Sequence, residues 1–443
     1  MSKQDTFRPD WYEGELPPRS FRALFRWNDP KAFKHPSRGF YRHLRDTFGM
    51  SDADFKNPSL ALEEFDIQQP PRLPEKQRRE LAALVGAENA SEDTFERVRR
   101  SYGAGLLDAL RLRQRVVENL PDLVLRPRGR ADVEAVLAYC ERERIPLQVY
   151  GGGSSVTRGY EAVKGGVTLD LSAHMNRVIA LNETDQTVTV QPGIWGPELE
   201  RILNNAPQTL GAKRAYTVGH FPQSFEHSSV GGWVVTRGAG QNSTYYGKIE
   251  DMVRSQEYVT PRGILRTPAY PRCATGPDIN QIMIGSEGAF GVLTEVTLRV
   301  CRHQPETTRR FSYLFKTWED GVNAYREVMQ GEFGFPSVFR LSDPEETDVA
   351  LRMYSIADTI ADRGLKVLGY QPMARCMLLG SADGDSAYSA LVARKVDAVC
   401  RRHGALNLSL LRLTQRWEHS RFADPYMRED LLDHGIIIDT LEC

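Results

Sequence analysis

The chain has 443 residues, 41% of them hydrophobic and 26% charged, which allows two or three domains with their own cores and excludes disorder as the default. Lys and Arg together number 57 against 58 Asp and Glu, a formal charge of −1, so no global field recruits nucleic acid and no such partner is expected. The six cysteines, Cys140, Cys273, Cys301, Cys376, Cys400 and Cys443, stand apart without a CxxC pair or a zinc-like Cys/His spacing, which reads as reduced thiols and no metal site.

The N-terminus, MSKQDTFRPDWYEG, lacks the apolar run of a signal peptide, and no stretch approaches the length of a membrane-spanning helix. A cytoplasmic protein is expected, with peripheral membrane contact left open. That opening comes from the first 45 residues, where Arg19, Arg22, Arg26, Lys31, Lys34, Arg38, Arg42 and Arg45 alternate with Trp11, Phe21, Phe25, Trp27 and Phe33. Such a mixture suits an anionic surface, or equally an arm packed on its own protein with its charges in water.

Residues 1–100 read as a helical arm, with helices near 75–85 and 91–100. In 130–144 the residues Val133, Val136, Leu137 and Cys140 share one helical face, and 145–150 reads as a short buried strand. Strand-like runs follow at 167–171, 178–181 and 187–191, then a helix at 197–205. Residues 257–267 read as a hairpin turning on Pro261-Arg262-Gly263. From about Pro305 the order is strand 311–315, helix 318–330, strand 337–341, strand 375–380 and helix 386–403, which predicts an α+β domain with an antiparallel sheet.

Chemistry is concentrated in three glycine clusters. Val149-Tyr150-Gly151-Gly152-Gly153-Ser154-Ser155 follows a predicted helix and strand. Three glycines remove every Cβ, so backbone N–H groups can close on a diphosphate while the serines add hydroxyl donors. The run lacks the third glycine of GxGxxG and the Gly-Lys-Ser/Thr of a P-loop, and alone it is also ordinary turn punctuation. Gly219 to Gly240 packs small and hydroxyl residues around a helix start at Ser229. Gly285-Ser286-Glu287-Gly288-Ala289-Phe290-Gly291 precedes a strong strand from Val292. Each cluster has a tight turn as its bland reading; the three in this order favour a shared ligand cradle.

The order helix, strand, GGGSS, Gly-Gly-Trp, GSEGAFG resembles the PCMH-type FAD domain of the vanillyl-alcohol-oxidase superfamily. Within it SFEHSSVGGWVVTR, YYGKIEDMV, VTPRG, ATGPDINQIMIGSEGAFGVLTE and VFRLSD resemble the alkyldihydroxyacetonephosphate synthase family. The resemblance implies two α/β subdomains at 101–304 and a cap domain at 305–443. It implies dissociable FAD, since no His occupies the glycine loop, held by Val149 to Ser155, Pro192 and Gly193, Gln223, Ser224, Phe225, Glu226, His227, Ser228 and Ser229, Thr236, Arg237, Gly238 and Ala239, and Gly285 to Gly291. It further implies a small-molecule lipid substrate, with the acyl group of acyl-dihydroxyacetone phosphate exchanged for a fatty alcohol and no net redox change.

Arg340, in Phe339-Arg340-Leu341-Ser342-Asp343, and Arg428, in Tyr426-Met427-Arg428-Glu429-Asp430, match family arginines expected to bind substrate. For Arg340 an ion pair to Asp343 or a neighbour is the bland alternative. His220 and His227 read as packing or hydrogen-bonding residues before bases. The family's catalytic tyrosine and histidine cluster have no counterpart up to Cys443. The tail 438–443 reads as the inside of a cap strand, so a truncated cap is expected. Two rivals stand beside the synthase: a FAD-dependent 2-hydroxy-acid dehydrogenase with an arginine on the carboxylate, and an inactive flavin-binding remnant. A homodimer is compatible with any of them.

Overall fold

In a computed structural model of the chain, residues 17–25, 38–51, 53–54, 60–270, 274–354 and 356–438 are described. Trp11, Arg26, Trp27, Lys31, Phe33 and Lys34 of the basic aromatic arm lie outside them, as do Cys273 and Cys443. The helix Phe21–Phe25 is buried throughout. Phe21, Leu24 and Phe25 join Phe95, Val98, Ala109 and Leu112 in one core, so this part of the arm packs on its own protein and presents none of these aromatic rings to a lipid surface.

The first subdomain is a four-stranded sheet. β1 (Ala90–Ser91), β2 (Leu123–Leu125), β3 (Leu147–Tyr150) and β4 (Val167–Asp170) lie in the order β1-β2-β4-β3. β2 and β3 both run parallel to the central β4. The crossover is the helix Arg130–Glu143, whose buried residues include Val133, Val136 and Cys140. The helix Glu75–Val85 packs beside it through Leu81 and Val85. β4 is buried along its whole length, whereas β3 is only half-buried. The sequence reading of 145–150 as a buried strand is corrected on that point: β3 is the sheet edge, and its end must stay open where the glycine loop begins.

The second subdomain is antiparallel. β5 (Val178–Asn182), β6 (Thr187–Val190), β8 (Val253–Thr260), β9 (Gly263–Arg266) and β10 (Val292–Arg299) form the order β5-β6-β10-β8-β9. β7 (Tyr216–Thr217) pairs with β11 (Cys301–Arg302). The predicted hairpin closes with Thr260 opposite Gly263. Buried Glu257 on β8 accepts from Thr294 Oγ1 at 2.9 Å and from Arg130 Nη1 at 3.3 Å, joining this sheet to the crossover helix of the first.

Glu200, on the helix Gly196–Asn204, is buried and accepts from Thr217 Oγ1 at 2.8 Å and from Val218 N at 2.9 Å. Burial outweighs both bonds and pushes its carboxyl up to about 7. A carboxyl with a higher pKa folded than unfolded gives stability that is complete below about 4.5, its ordinary value, and is lost as the pH rises through about 7. Urea unfolding at pH 5 and pH 8 is therefore expected to differ by about 2 kcal/mol from this group. Glu200→Gln, which keeps an acceptor for Val218, should flatten that slope; an unchanged slope excludes Glu200 as its source.

The C-terminal domain is one antiparallel sheet: β12 (Arg309–Phe315), β13 (Val338–Ser342), β14 (Cys376–Ala382) and β15 (Leu406–Asn407), in the order β13-β14-β12-β15. Strand period sorts the side chains. Phe311, Tyr313 and Phe315 face the helices Trp318–Met329 and Ser386–Arg402 through Ala324, Val328, Val392 and Val396. Leu314 joins Val338, Met377, Leu351 and Trp417 on the other face. That second face is covered by the helices Pro344–Met353 and Leu413–Ser420, which the sequence reading left unassigned. The helix Asp424–Leu432 follows. Ile438 is in no strand, so the strand predicted over 438–443 is corrected at that residue; the rest of that tail lies outside the described residues.

Candidate functional site

Four segments distant in sequence meet at the end of β3. In the first, the amide N–H groups of residues 151–155 donate to no protein acceptor among the described residues. A Cβ on Gly151 would stand 2.4 Å from Ser229 Oγ, and one on Gly152 would stand 2.4 Å from the His227 carbonyl and 2.8 Å from Ser228 Cα. The glycines are therefore required by the close approach of the 227–229 segment.

In that second segment Ser229 caps the helix Val230–Val235 by accepting from Gly232 N at 3.2 Å, the helix start the sequence predicts. Trp233 Nε1 donates to Ser228 Oγ at 2.7 Å. Gly231 N donates to the Pro192 carbonyl at 2.7 Å, which brings the predicted Pro192-Gly193 turn to the same helix.

The third and fourth segments are laced together. Gly285 N and Glu287 N donate to the carbonyls of Val234 and Val235 at 3.1 and 3.0 Å. Arg237 Nη2 donates to the Gln281 carbonyl at 2.9 Å, so this side chain ties loop to loop. A Cβ on Gly288 would lie 3.5 Å from Val149 Cγ2, which returns the circuit to β3. Every predicted cofactor segment thus belongs to one cradle.

Beside the glycine loop lies a small cavity of ≈40 Å³ whose lining includes Gly152, Gly153, Tyr102, Arg99, Phe25 and His227. Its outer wall is the N-terminal segment: Ala104 N donates to the Ser155 carbonyl at 2.9 Å. Unpaired amides, the hydroxyls of Ser154 and Ser155 and a cation at Arg99 fit the diphosphate of a dinucleotide such as FAD.

The two histidines differ in their surroundings. His220 is fully buried against Trp233 at 4.9 Å, neither ring nitrogen has a partner, and burial lowers its pKa to about 3. It stays neutral in the ordinary pH range and does not take up a second proton. His227 Nε2 lies 2.9 Å from Tyr426 Oη, a C-terminal residue that the sequence reading did not single out.

The two predicted substrate arginines share no partner. Arg340 is half-exposed, pairs with Glu346 and lies 5.9 Å from the Trp417 ring; Asp343 instead caps the following helix by accepting from Glu346 N at 2.7 Å. Arg428 Nη2 donates to the Ala104 carbonyl at 2.8 Å, behind the glycine loop. Reasoning from sequence also missed Arg421. Its guanidinium is buried, donates to Asn242 Oδ1 at 2.9 Å and has its pKa lowered by burial to about 10. Only its position seven residues before Arg428 gave a signal.

A two-lobed glycine cradle under a separate antiparallel cap defines a FAD-binding protein of the PCMH type. Residues 121–267 match the FAD binding domain family and 304–443 the FAD linked oxidases, C-terminal domain family. Within that class the chain is similar to alkyldihydroxyacetonephosphate synthases. It is 29% identical over 419 residues to alkyldihydroxyacetonephosphate synthase of Dictyostelium discoideum, covering 91% of this chain and 66% of that protein. A solved alkyldihydroxyacetonephosphate synthase structure superposes with a TM-score of 0.75 at 27% identity, over 85% of this chain and 68% of that one. An uncharacterized FAD-linked oxidoreductase of Escherichia coli is 38% identical over 229 residues, 51% of this chain and 45% of that protein. The chain thus spans about two thirds of the length of the Dictyostelium synthase. No helix among the described residues is long and apolar enough to cross a membrane.

Proposed function

We propose that this chain holds FAD without a covalent bond and acts on acyl-dihydroxyacetone phosphate, exchanging the acyl group for a fatty alcohol. The observation that carries the reading is the convergence of all four glycine-bearing segments in a chain similar to a synthase over 91% of its length. FAD, when bound, supplies an electrophilic ring that can take up and return the substrate carbon.

The protein's share is binding and orientation. The amides of 151–155, with Ser154 and Ser155, hold the diphosphate. Gly219, Gly238 and Gly285, each hard against a neighbouring side chain, allow loop and cofactor to approach closely. Arg340 and Arg428 remain the candidates for the substrate's anionic groups. His220, neutral and enclosed, does not take the proton.

The similarity to a FAD-linked oxidoreductase supports a second reading, oxidation of a 2-hydroxy acid. The visible spectrum of purified protein, before and after acid precipitation, tests the cofactor: a flavin spectrum with all colour in the supernatant is expected. Acyl-dihydroxyacetone phosphate with a labelled fatty alcohol should then give ether product without flavin bleaching. Bleaching by D-lactate with dye reduction would assign the dehydrogenase instead, and a flavin that answers to neither would assign a silent binding protein.

A further inference from the structure

We propose that Arg421 is an oxyanion receptor at the seam between cap and flavin domain, taking a phosphate or carboxylate group of the substrate. Arg421 opens the short segment Arg421–Ala423 between the helices Leu413–Ser420 and Asp424–Leu432. It is 8% exposed, and its guanidinium carbon lies 5.1 Å from the Phe221 ring, 5.4 Å from Trp417 and 4.7 Å from Phe422. Nη1 donates to Asn242 Oδ1, and buried Nε has no acceptor.

No carboxylate pairs with this cation among the described residues. Glu418 and Asp383 act on it at longer range, but Glu418 is held by Arg310 at 2.5 Å, and Asp383 accepts from Thr308 at 2.8 Å and Tyr246 at 3.1 Å. Other fully buried arginines have a countercharge or two carbonyl acceptors, although Nε lacks an acceptor in Arg22 and Arg375 as well: Arg22 pairs with Asp433, Arg375 with Asp362, and Arg97 donates to the carbonyls of Pro121 and Gln69. A guanidinium taken out of water without a countercharge is costly, and three aromatic faces offset only part of that. The planar fork of donors it keeps is the geometry that recognises oxyanions.

Location gives the site its meaning. Phe221 and Asn242 belong to the loops that flank the cradle, and Arg340 lies 5.9 Å from the same Trp417 ring. Two cations from the cap therefore lie near one indole at the seam, Arg421 at 5.4 Å and Arg340 at 5.9 Å. The inference rests on the proposed flavin site only for which end of the substrate lies here.

The test uses the full chain loaded with FAD, as wild type, Arg421→Met and Arg421→Lys, with inorganic phosphate and D-lactate each titrated by calorimetry. Binding of at least one anion to wild type is expected, weakened about tenfold to a hundredfold in Arg421→Met at unchanged flavin content, with Arg421→Lys intermediate. The preferred anion identifies the headgroup. Equal affinity in Arg421→Met, or no binding of either anion to wild type, overturns the proposal. If Arg421→Met does not fold, the loss in Arg421→Lys decides. Wild type that takes up no flavin fails the flavin reading separately, and the same titrations on that apoprotein still decide this one.

Discussion

Asp433→Ala is expected to lower the unfolding free energy by about 3–5 kcal/mol. Arg22 is fully buried and donates to both oxygens of Asp433, at 2.8 and 2.9 Å. Arg113 converges on the same carboxylate and stacks on Phe25 with its guanidinium carbon 4.6 Å from the ring. Asp430 stands 3.6 Å from Arg22 and only partly replaces the lost charge. Removing the carboxylate takes the shared countercharge from two buried guanidinium groups and leaves the carbonyl contacts of Leu60 to Arg22 and of Glu429 to Arg113 in its place. The urea midpoint checks this. Arg22→Met combined with Asp433→Ala should lose less than the sum of the single changes, since one stranded charge goes with its partner. A fall below about 1 kcal/mol in Asp433→Ala would mean that water already reaches the cluster. The same network anchors the helix Phe21–Phe25, whose Leu24 and Phe25 wall the cavity beside the glycine loop. Weaker flavin retention should accompany the loss of stability.

Gly152→Val should strip the protein of FAD while leaving its secondary structure intact. A Cβ at this position meets backbone, the His227 carbonyl at 2.4 Å and Ser228 Cα at 2.8 Å, so no side-chain rotation relieves it. Branching at Cβ adds a second γ-carbon to the same space. The loop 151–155 and the segment 227–229 must move apart, and the free amides lose their common aim. We expect the FAD dissociation constant to rise by at least about a hundredfold, read by flavin fluorescence on mixing with apoprotein, with an unchanged far-ultraviolet circular dichroism spectrum. Gly151→Ala should be milder, because its neighbour is the rotatable Ser229 Oγ at 2.4 Å. Unaltered FAD affinity in Gly152→Val would place the cofactor elsewhere.

Much of the architecture is legible in the order of residues. The helical face Val133, Val136, Cys140 predicts the crossover helix, and the Pro261-Arg262-Gly263 turn predicts the β8–β9 hairpin. The strands and helices from 309 to 342 and from 376 to 402 fall where periodicity puts them, because both carry one clear apolar face. Ser229 announces a helix start through its side chain alone. The helices Pro344–Met353, Ile360–Val367 and Leu413–Ser420 escaped notice, since their stability comes from covering the second face of the cap sheet, a surface that no local window contains.

By itself the sequence determined which segments are glycine-rich, which faces are apolar and which family pattern they match, because those properties depend on spacing along the chain. Tertiary structure decided what those segments meet. It set Gly152 against His227, brought Gly288 to Val149, turned Arg237 into a tie between loops and sent Arg428 to the Ala104 carbonyl. It also buried Arg421 among three aromatic rings with no carboxylate paired to it among the described residues. The reason is physical: backbone approach, burial and countercharge are fixed by packing between residues tens to hundreds of positions apart, and no local pattern encodes the partner.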